Sequence, residues 1–189
     1  MAVNSLMVEL GTPAPDFSLP SVTTGENVSL ATFADARALL VVFMSNHCPY
    51  VRHVESGFAE FAAAYQEQGL GVVAISANDV VNYPEDAPER LVDQIKRAGF
   101  TFPYLYDESQ EVARAYRAAC TPDFFLYDAE RRLAYRGQFD DSRPKSTIEV
   151  TGESMRAAVE AVLKGEAVSE PHHPSIGCSI KWRPGNEPQ

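Results

Sequence analysis

Cysteine is scarce in this 189-residue chain, which contains only three. Three cysteines cannot build the disulfide framework that holds many small secreted domains together. Cytosolic disulfides, where they occur, tend to be catalytic or transient, and an odd number of cysteines leaves at least one thiol free. The three cysteines are therefore expected to have individual roles rather than to form a structural framework.

Basic residues are outnumbered: 16 Lys and Arg stand against 26 Asp and Glu, so the formal net charge is −10. Proteins that bind nucleic acid or anionic membrane surfaces usually carry basic patches, so we expect neither partner. No run reaches the ~18 apolar residues that a membrane-spanning helix needs. The first residues contain no basic segment and only scattered apolar residues, so we expect no signal peptide and a cytoplasmic location.

The first half of the chain alternates between strand and helix patterns. The apolar runs ALLVVFM (38–44) and LGVVAISAN (70–78) predict strands that are buried on both faces. Between them, from Pro49 to Tyr65, apolar residues recur at helical spacing, with the proline in the first turn where its missing N–H is tolerated. A further helix is predicted over 86–98.

The second half adds a short helix at about 110–118 and two short strands over 123–128 and 133–137. A final helix is predicted after Thr151, which can cap it, and before Gly165. Strands separated by helices are expected to pair in parallel, whereas the closely spaced late pair is expected to form an antiparallel edge. The sequence therefore predicts an α/β fold.

The length favours a single domain, which we place at residues 1–165. Turns and short strands are predicted near the N-terminus, with a hairpin turn at 25–27. Residues 166–189 contain several prolines together with a few apolar residues, so we predict a tail that packs on the domain rather than a linker.

The segment FMSNHCPYV (43–51) places Cys48 where a strand ends and a helix begins. Helix N-termini carry partial positive charge and unpaired N–H groups, and both stabilise a thiolate. The ordinary alternative is a small buried residue that closes the core. The polar neighbours Ser45, Asn46 and His47 favour a reactive thiol, which we expect at or near the surface.

The segment CTPDFFLYD (120–128) places Pro122 directly before a strand. The Thr121–Pro122 peptide bond is therefore a candidate for the cis form, although an ordinary trans turn proline fits the same pattern. The residues alone leave both alternatives open.

GTPAPDFSLP, ALLVVFMSNHCPYV and TPDFFLYD occur in this order. With this spacing the chain resembles the alkyl hydroperoxide reductase/thiol-specific antioxidant family, the peroxiredoxin-like branch of the thioredoxin-like superfamily, over about residues 11–165. The closing GCSIKWRPGNEP resembles one uncharacterised subgroup. The resemblance implies a three-layer thioredoxin-like fold, with a mixed central sheet, helices on both faces, an N-terminal hairpin and a wrapping C-terminal tail.

The resemblance also implies a thiol-dependent oxidoreductase without a cofactor. Its substrate would be a disulfide or a peroxide, and its reductant a protein dithiol or a low-molecular-weight thiol. Cys48 takes the place of the family nucleophile, Pro122 that of the cis-proline, and Thr121 that of the residue whose backbone can pair with a substrate chain. Thioredoxins carry a second cysteine three positions after the first, where this chain has Val51.

Peroxiredoxins carry a proline seven residues before the nucleophile and a threonine three residues before it, where this chain has Val41 and Ser45. Their active-site arginine aligns with Pro122. His47 and Arg52 are candidates to supply the missing positive charge, and Ser45 still offers a hydroxyl. These differences leave both disulfide and peroxide chemistry open.

Because position 51 is Val51 and not a cysteine, any disulfide partner of Cys48 must lie elsewhere. We favour Cys120, because it is only two residues from Pro122 and two extended residues span only ~7 Å. Cys178 in the tail is the alternative, and an external thiol is a third route.

A binding module is the competing function: a redox-inactive thioredoxin fold that recognises an extended peptide at Thr121–Pro122. A metal site is not predicted, because His172, His173 and Cys178 do not supply the four ligands at ordered spacing that structural zinc needs.

Overall fold

The computed structural model describes residues 1–188, which form ten β-strands and four α-helices. The strands are β1 (Ala2–Asn4), β2 (Ser18–Pro20), β3 (Asn27–Ser29), β4 (Ala38–Phe43), β5 (Leu70–Ser76), β6 (Tyr104–Tyr106), β7 (Cys120–Thr121), β8 (Asp123–Tyr127), β9 (Leu133–Arg136) and β10 (Ile176–Ser179). The helices are α1 (Pro49–Gln66), α2 (Pro88–Ala98), α3 (Glu111–Ala115) and α4 (Glu153–Leu163).

The central sheet has five strands in the order β6-β5-β4-β8-β9. Its first three strands are parallel to one another, and β8 runs antiparallel to both β4 and β9. The register places Val42 of β4 beside Phe124 of β8, which begins directly after Pro122. The predicted mixed sheet with an antiparallel late pair is therefore confirmed.

The sheet is covered on both faces because its central strand is apolar throughout. All six residues of β4 are buried. Successive side chains of a strand point to opposite faces, so Leu40 and Val42 join the core under α1 and α4, whereas Leu39 and Val41 join the core on the side of α3. Helices on both faces of the sheet are therefore confirmed as well.

Several elements differ from the prediction. The segment 86–98 does not form one helix: α2 begins at Pro88, and residues Pro84–Asp86 form a separate 3-10 turn. Proline at 88 is suited to the first position of a new helix, which explains the break. The strands β1, β6, β7 and β10 were not predicted, because two to four residues are too short to give a periodic signal.

Two smaller sheets involve the termini. The strands β2 and β3 form the antiparallel hairpin that the sequence predicts. In the tail, β10 pairs antiparallel with β1 on one side and with β7 on the other. The tail thus packs on the rest of the chain beside Pro122, while the division at residue 165 stays a prediction. Within residues 1–188 no helix combines the length and the apolar character that crossing a bilayer requires.

Candidate active site around Cys48

Cys48 is the N-cap residue of α1, and Pro49 is the first residue of the helix. Its backbone is extended, with φ −68° and ψ 123°. The preceding buried strand β4 ends at Phe43, and five residues, the last of them Cys48, connect the two elements. The thiol therefore stands at the positive end of an 18-residue helix, as the sequence predicts.

The loop before β8 lies directly against Cys48. The Cys48 Sγ donates a hydrogen bond to the carbonyl oxygen of Thr121 over 3.1 Å. The Thr121–Pro122 peptide bond is cis. The hydroxyls of Ser45 and Thr121 are 3.2 Å apart, within hydrogen-bonding distance. The structure therefore brings together Ser45, Cys48, Thr121 and Pro122, which the sequence analysis proposes as site residues.

Cys178 reaches the same site from the tail. The register of β10 places Cys178 opposite Thr121, whose carbonyl oxygen accepts the Cys48 bond. Cys178 packs against the core cluster that contains Cys48. Burial, followed by the neighbouring Cys48 thiol, raises the pKa of the Cys178 thiol to about 11. All three cysteines are thiols in the structure.

Gly177 allows the tail to approach this closely. A Cβ atom at Gly177 would lie 2.0 Å from the carbonyl oxygen of Thr121, 2.6 Å from its carbonyl carbon and 3.2 Å from the nitrogen of Pro122. Beside it, the Ser175 hydroxyl donates a 2.6 Å hydrogen bond to the carbonyl oxygen of Pro122. The tail is thus fitted to the backbone on both sides of the cis bond, and a side chain at position 177 would collide with it.

Cys120, the resolving thiol favoured from the sequence, has a different environment. It is fully buried and lies opposite Ser179 in the β7–β10 pair. Its thiol donates to the carbonyl oxygen of Pro122 over 3.6 Å. Burial and the nearby Asp123 raise the pKa of Cys120 far above the usual range of a thiol. The register places Cys178, not Cys120, opposite Thr121, although Cys120 is nearer to Pro122 along the chain.

The expectation that Cys48 lies at or near the surface is wrong: the residue is 0% exposed. The reason lies in the tail, which contacts α1 and also pairs with β7, the two elements that flank the thiol. Neither element is near the tail in the sequence, so the covering of Cys48 could not be inferred from local patterns.

His47 and Arg52, the candidate positive charges, are directed elsewhere. The His47 Nδ1 is bonded to Asp86, and its ring is stacked on Tyr83 with centroids 5.6 Å apart. The Arg52 Nε donates to the carbonyl oxygen of Asn46 over 2.8 Å. Among the hydrogen bonds and ion pairs of residues 1–188, none joins His47 or Arg52 to the Cys48 thiol. Their closeness in sequence does not translate into contact.

Asp86 holds the loop before Cys48 and was not recognised from the sequence, where it fits an acidic helix start. It is fully buried and accepts hydrogen bonds from the backbone N–H of Asn46 (2.7 Å), the backbone N–H of His47 (3.1 Å) and the Asn78 side chain (2.8 Å). Burial opposes its ionisation, but the bonds from His47 and Asn78 outweigh it and lower the pKa of Asp86. An ionised, fully bonded carboxylate therefore fixes residues 46 and 47.

A second group of side chains clamps the same loop from α2. Arg97 forms a two-point ion pair with Glu55, with N–O distances of 2.8 and 3.0 Å, and also donates to the Asn46 side chain over 2.9 Å. Gln94 donates to the carbonyl oxygen of Ser45 over 3.3 Å. Gln94 and Arg97 lie 49 and 51 positions from their partners in the loop, so no local sequence signal identifies them.

A family model provides the decisive comparison. The model described as the AhpC/TSA family matches residues 10–136, which is more than half of the chain and includes both Cys48 and the Thr121–Pro122 loop. The chain belongs to the AhpC/TSA family. The resemblance read from the sequence is thereby confirmed, together with the peroxiredoxin-like character it implies.

Two relatives of this AhpC/TSA member carry names from two redox classes. A Mycobacterium tuberculosis protein, provisionally named a peroxiredoxin, is 32% identical over 108 residues, covering 57% of this chain and 63% of the relative. A protein of Halalkalibacterium halodurans named thiol-disulfide oxidoreductase ResA is 27% identical over 120 residues, covering 64% of this chain and 63% of the relative. The matched part of this chain thus spans less than two thirds of each relative's length.

Two solved structures resemble this AhpC/TSA family member over nearly its whole length, and at higher identity than the two relatives. A crystal structure of an uncharacterised conserved protein from Geobacillus kaustophilus has a TM-score of 0.95 and 50% identity, covering 98% of both chains. A hypothetical protein from Sinorhizobium meliloti 1021 has a TM-score of 0.94 and 54% identity, covering 96% of this chain and 99% of the other.

A more distant structure establishes the fold class. A thioredoxin-family thiol:disulfide interchange protein from Chlorobium tepidum TLS has a TM-score of 0.63 at 21% identity, covering 82% of this chain and 99% of the other. At that identity the likeness concerns the fold alone, and it confirms that this fold is thioredoxin-like.

Proposed function

We propose that this protein is a thiol-dependent oxidoreductase in which Cys48 is the nucleophile and Cys178 is the thiol that resolves its oxidised form. The observation that carries the proposal is the position of Cys178 opposite Thr121, whose carbonyl oxygen accepts the bond from Cys48 at a helix N-terminus, beside a cis-proline loop. A helix N-terminus favours the thiolate, and thiolates are the reactive form of cysteine. The redox names of the relatives agree with this chemistry.

With a peroxide, the Cys48 thiolate attacks one oxygen and the O–O bond breaks. The product is a sulfenic acid on Cys48, and the departing group takes a proton, so that an alkoxide becomes an alcohol and the hydroxide from hydrogen peroxide becomes water. The Cys178 sulfur then attacks the Cys48 sulfur, the S–O bond breaks, and the hydroxyl leaves as water with the Cys178 proton. The two thiols have supplied two electrons and become a disulfide.

With a disulfide, the Cys48 thiolate attacks one sulfur, and the other leaves as a thiolate, which gives a mixed disulfide. Cys178 then displaces the second half of the substrate and forms the same Cys48–Cys178 bond. In both cases an external thiol reductant restores the two cysteines. The register that sets Cys178 opposite Thr121 supports this pairing, because Thr121 is also the residue that Cys48 touches.

The proposal can be tested by rapid mixing of reduced protein with hydrogen peroxide or with a small disulfide. Trp182 is the only tryptophan and lies four residues after Cys178, so its fluorescence should report changes in the tail. We expect a fluorescence change in the wild type and in Cys120→Ser, and none in Cys48→Ser. A change of equal rate in Cys48→Ser would contradict the role of Cys48.

One observation favours the competing binding module: Cys48 is fully buried. A module of this kind would show no thiol consumption with either oxidant, whereas the proposed enzyme loses one equivalent of Cys48 and one of Cys178. Counting free thiols after mixing, with the cysteines identified by peptide mass mapping, separates the two functions.

A further inference from the structure

We propose that strand β10 occupies the edge of β7 beside Pro122, where an extended substrate chain would otherwise pair. We further propose that its close fit at Gly177 restricts Cys48 to small oxidants. The inference rests on the proposed function of Cys48 and adds the size class of its substrate. A peroxide or a low-molecular-weight disulfide would react with the docked form, whereas an extended protein segment would have to displace β10.

Strand β10 already pairs with the edge that an extended chain would use. The short strand β7 pairs with β10, with Cys178 opposite Thr121 and Ser179 opposite Cys120. An extended chain that adds to this edge would need the same backbone groups, because strand addition uses main-chain hydrogen bonds. The tail therefore occupies the positions that a second chain would take.

The tail also fits closely against this edge. Because Gly177 has no side chain, the tail backbone can lie within contact distance of Thr121 and of the nitrogen of Pro122. The Ser175 hydroxyl adds a bond to the Pro122 carbonyl oxygen. With both contacts in place, Cys48 and Thr121 are 0% and 2% exposed. A macromolecule cannot reach groups this buried without moving the strand.

Hydrogen bonds anchor the chain on both sides of β10. Before the strand, the backbone N–H of Ser5 donates to the carbonyl oxygen of Ser175 over 2.9 Å. After it, the backbone N–H of Lys181 donates to the Asn78 side chain, and the Lys181 carbonyl oxygen accepts from the backbone N–H of Asp79, both over 2.8 Å. The strand is thus a docked segment rather than a loosely attached end.

The test variant is Gly177→Ala, which adds one methyl group. The backbone at Gly177 is outside the left-handed region, so alanine adds no torsional strain there and acts through its collision with Thr121. Ser169→Ala is the matched control, because Ser169 is an exposed residue of the same tail. Ser175→Ala is a second, milder variant that removes the hydrogen bond to Pro122 and adds no volume.

The measurement compares two rates for each reduced protein: reaction with hydrogen peroxide and formation of a mixed disulfide with an unfolded, disulfide-bonded polypeptide. In the mixed disulfide, Cys48 bonds to one polypeptide sulfur and the other sulfur leaves as a thiolate. We expect Gly177→Ala to raise the polypeptide rate relative to the peroxide rate at least ~10-fold, the factor that ~1.4 kcal/mol of overpacking strain produces. Ser175→Ala should change the ratio in the same direction by less, and Ser169→Ala should leave it unchanged.

An unchanged ratio in both Gly177→Ala and Ser175→Ala would overturn the inference, as would a wild type that already reacts with the polypeptide as fast as Gly177→Ala. If wild-type Cys48 reacts with neither oxidant, the proposed function fails separately. The restriction on size is then judged by alkylation, mapped at Cys48 by mass spectrometry. Iodoacetamide should label all forms, and a bulky polyethylene-glycol maleimide should label Gly177→Ala faster than the wild type; equal labelling by the maleimide would overturn the inference.

Discussion

Asp123 is a buried carboxyl that follows Pro122 directly, and it should make the stability of the protein depend on pH. It is fully buried, its Oδ2 accepts from the backbone N–H of Ala119 over 2.9 Å, and its Oδ1 is unpartnered among residues 1–188. Burial raises its pKa to about 7. Between pH ~4 and ~7 the folded protein therefore keeps a proton that the unfolded chain has released, so the free energy of unfolding falls by up to ~1.4 kcal/mol per pH unit as pH rises.

Asp123→Asn removes this ionisation and keeps an acceptor for the Ala119 bond. We expect urea unfolding between pH 5 and 8 to show a flatter pH dependence in the variant, and at pH 8 a free energy of unfolding higher by ~1–3 kcal/mol. The exposed Asp35, changed to Asn, serves as the control. A pH profile parallel to that of the wild type would show that Asp123 is ionised in the folded state.

Cys178 should make the second step of the reaction depend strongly on pH. Its pKa of about 11 means that the thiol form dominates near neutral pH, and the thiolate fraction then rises tenfold per pH unit. We expect the rate of disulfide formation from the Cys48 sulfenic acid to rise ~10-fold per unit between pH 7 and 9, as followed by rapid quenching. A rate independent of pH in this range would mean that Cys178 is not the attacking group.

At the scale of residues, local sequence patterns place Cys48 at a helix start and Pro122 before a strand, and the family resemblance then points to both as site residues. A cysteine that follows an apolar run and directly precedes a helix starting with proline must lie in the loop between a strand and a helix. The roles of Asp86 and Gly177 depend instead on partners far along the chain. Nothing in the residues near 86 or 177 indicates that a carboxylate will bond to residues 46 and 47, or that a tail will approach Thr121.

At the scale of elements, the loop between β4 and α1 depends on its bonds to Asp86. Asp86→Ala would leave the buried N–H groups of Asn46 and His47 without their acceptor, so we expect the free energy of unfolding to fall by ~2–5 kcal/mol. The reaction of Cys48 should slow as well, because the start of α1 loses its fixed position. Chemical denaturation and rapid mixing measure the two effects.

Glu85→Ala is the matched control for that loop. Glu85 is the exposed neighbour of Asp86 and contributes its backbone carbonyl oxygen, not its side chain, to Asn46. We expect this variant to differ from the wild type by less than ~0.5 kcal/mol, which is usual for surface positions. Equal destabilisation by the two substitutions would contradict the role of the Asp86 side chain in holding the loop.

The long elements follow from the sequence more directly than the short ones. The continuous apolar runs of β4 and β5 and the helical spacing of apolar residues in α1 are long enough to identify these elements. The strands β6, β7 and β10 have two to four residues each, and their pairing is decided by the rest of the fold. The site is built on β4 and α1 but closed by β7 and β10, so only half of it could be predicted locally.

At the scale of the whole molecule, the tail covers the candidate site. The resemblance to the AhpC/TSA family indicates the fold and the nucleophile, but the family model ends at residue 136, before the tail begins. The position of Cys178 follows from packing over the entire chain: β10 is held between β1 at the N-terminus and β7 beside Pro122. The preference for Cys120 used sequence proximity, which does not account for a strand that arrives from the C-terminus.

The pairing of Cys48 with Cys178 is tested most directly by mapping the disulfide that forms on mild oxidation. Reduced protein is treated with one equivalent of hydrogen peroxide, digested without reductant and analysed by mass spectrometry, with Cys120→Ser as the control. We predict one intramolecular crosslink, Cys48–Cys178, in both proteins. A Cys48–Cys120 crosslink in the wild type, or Cys48 crosslinked only between molecules, would contradict it.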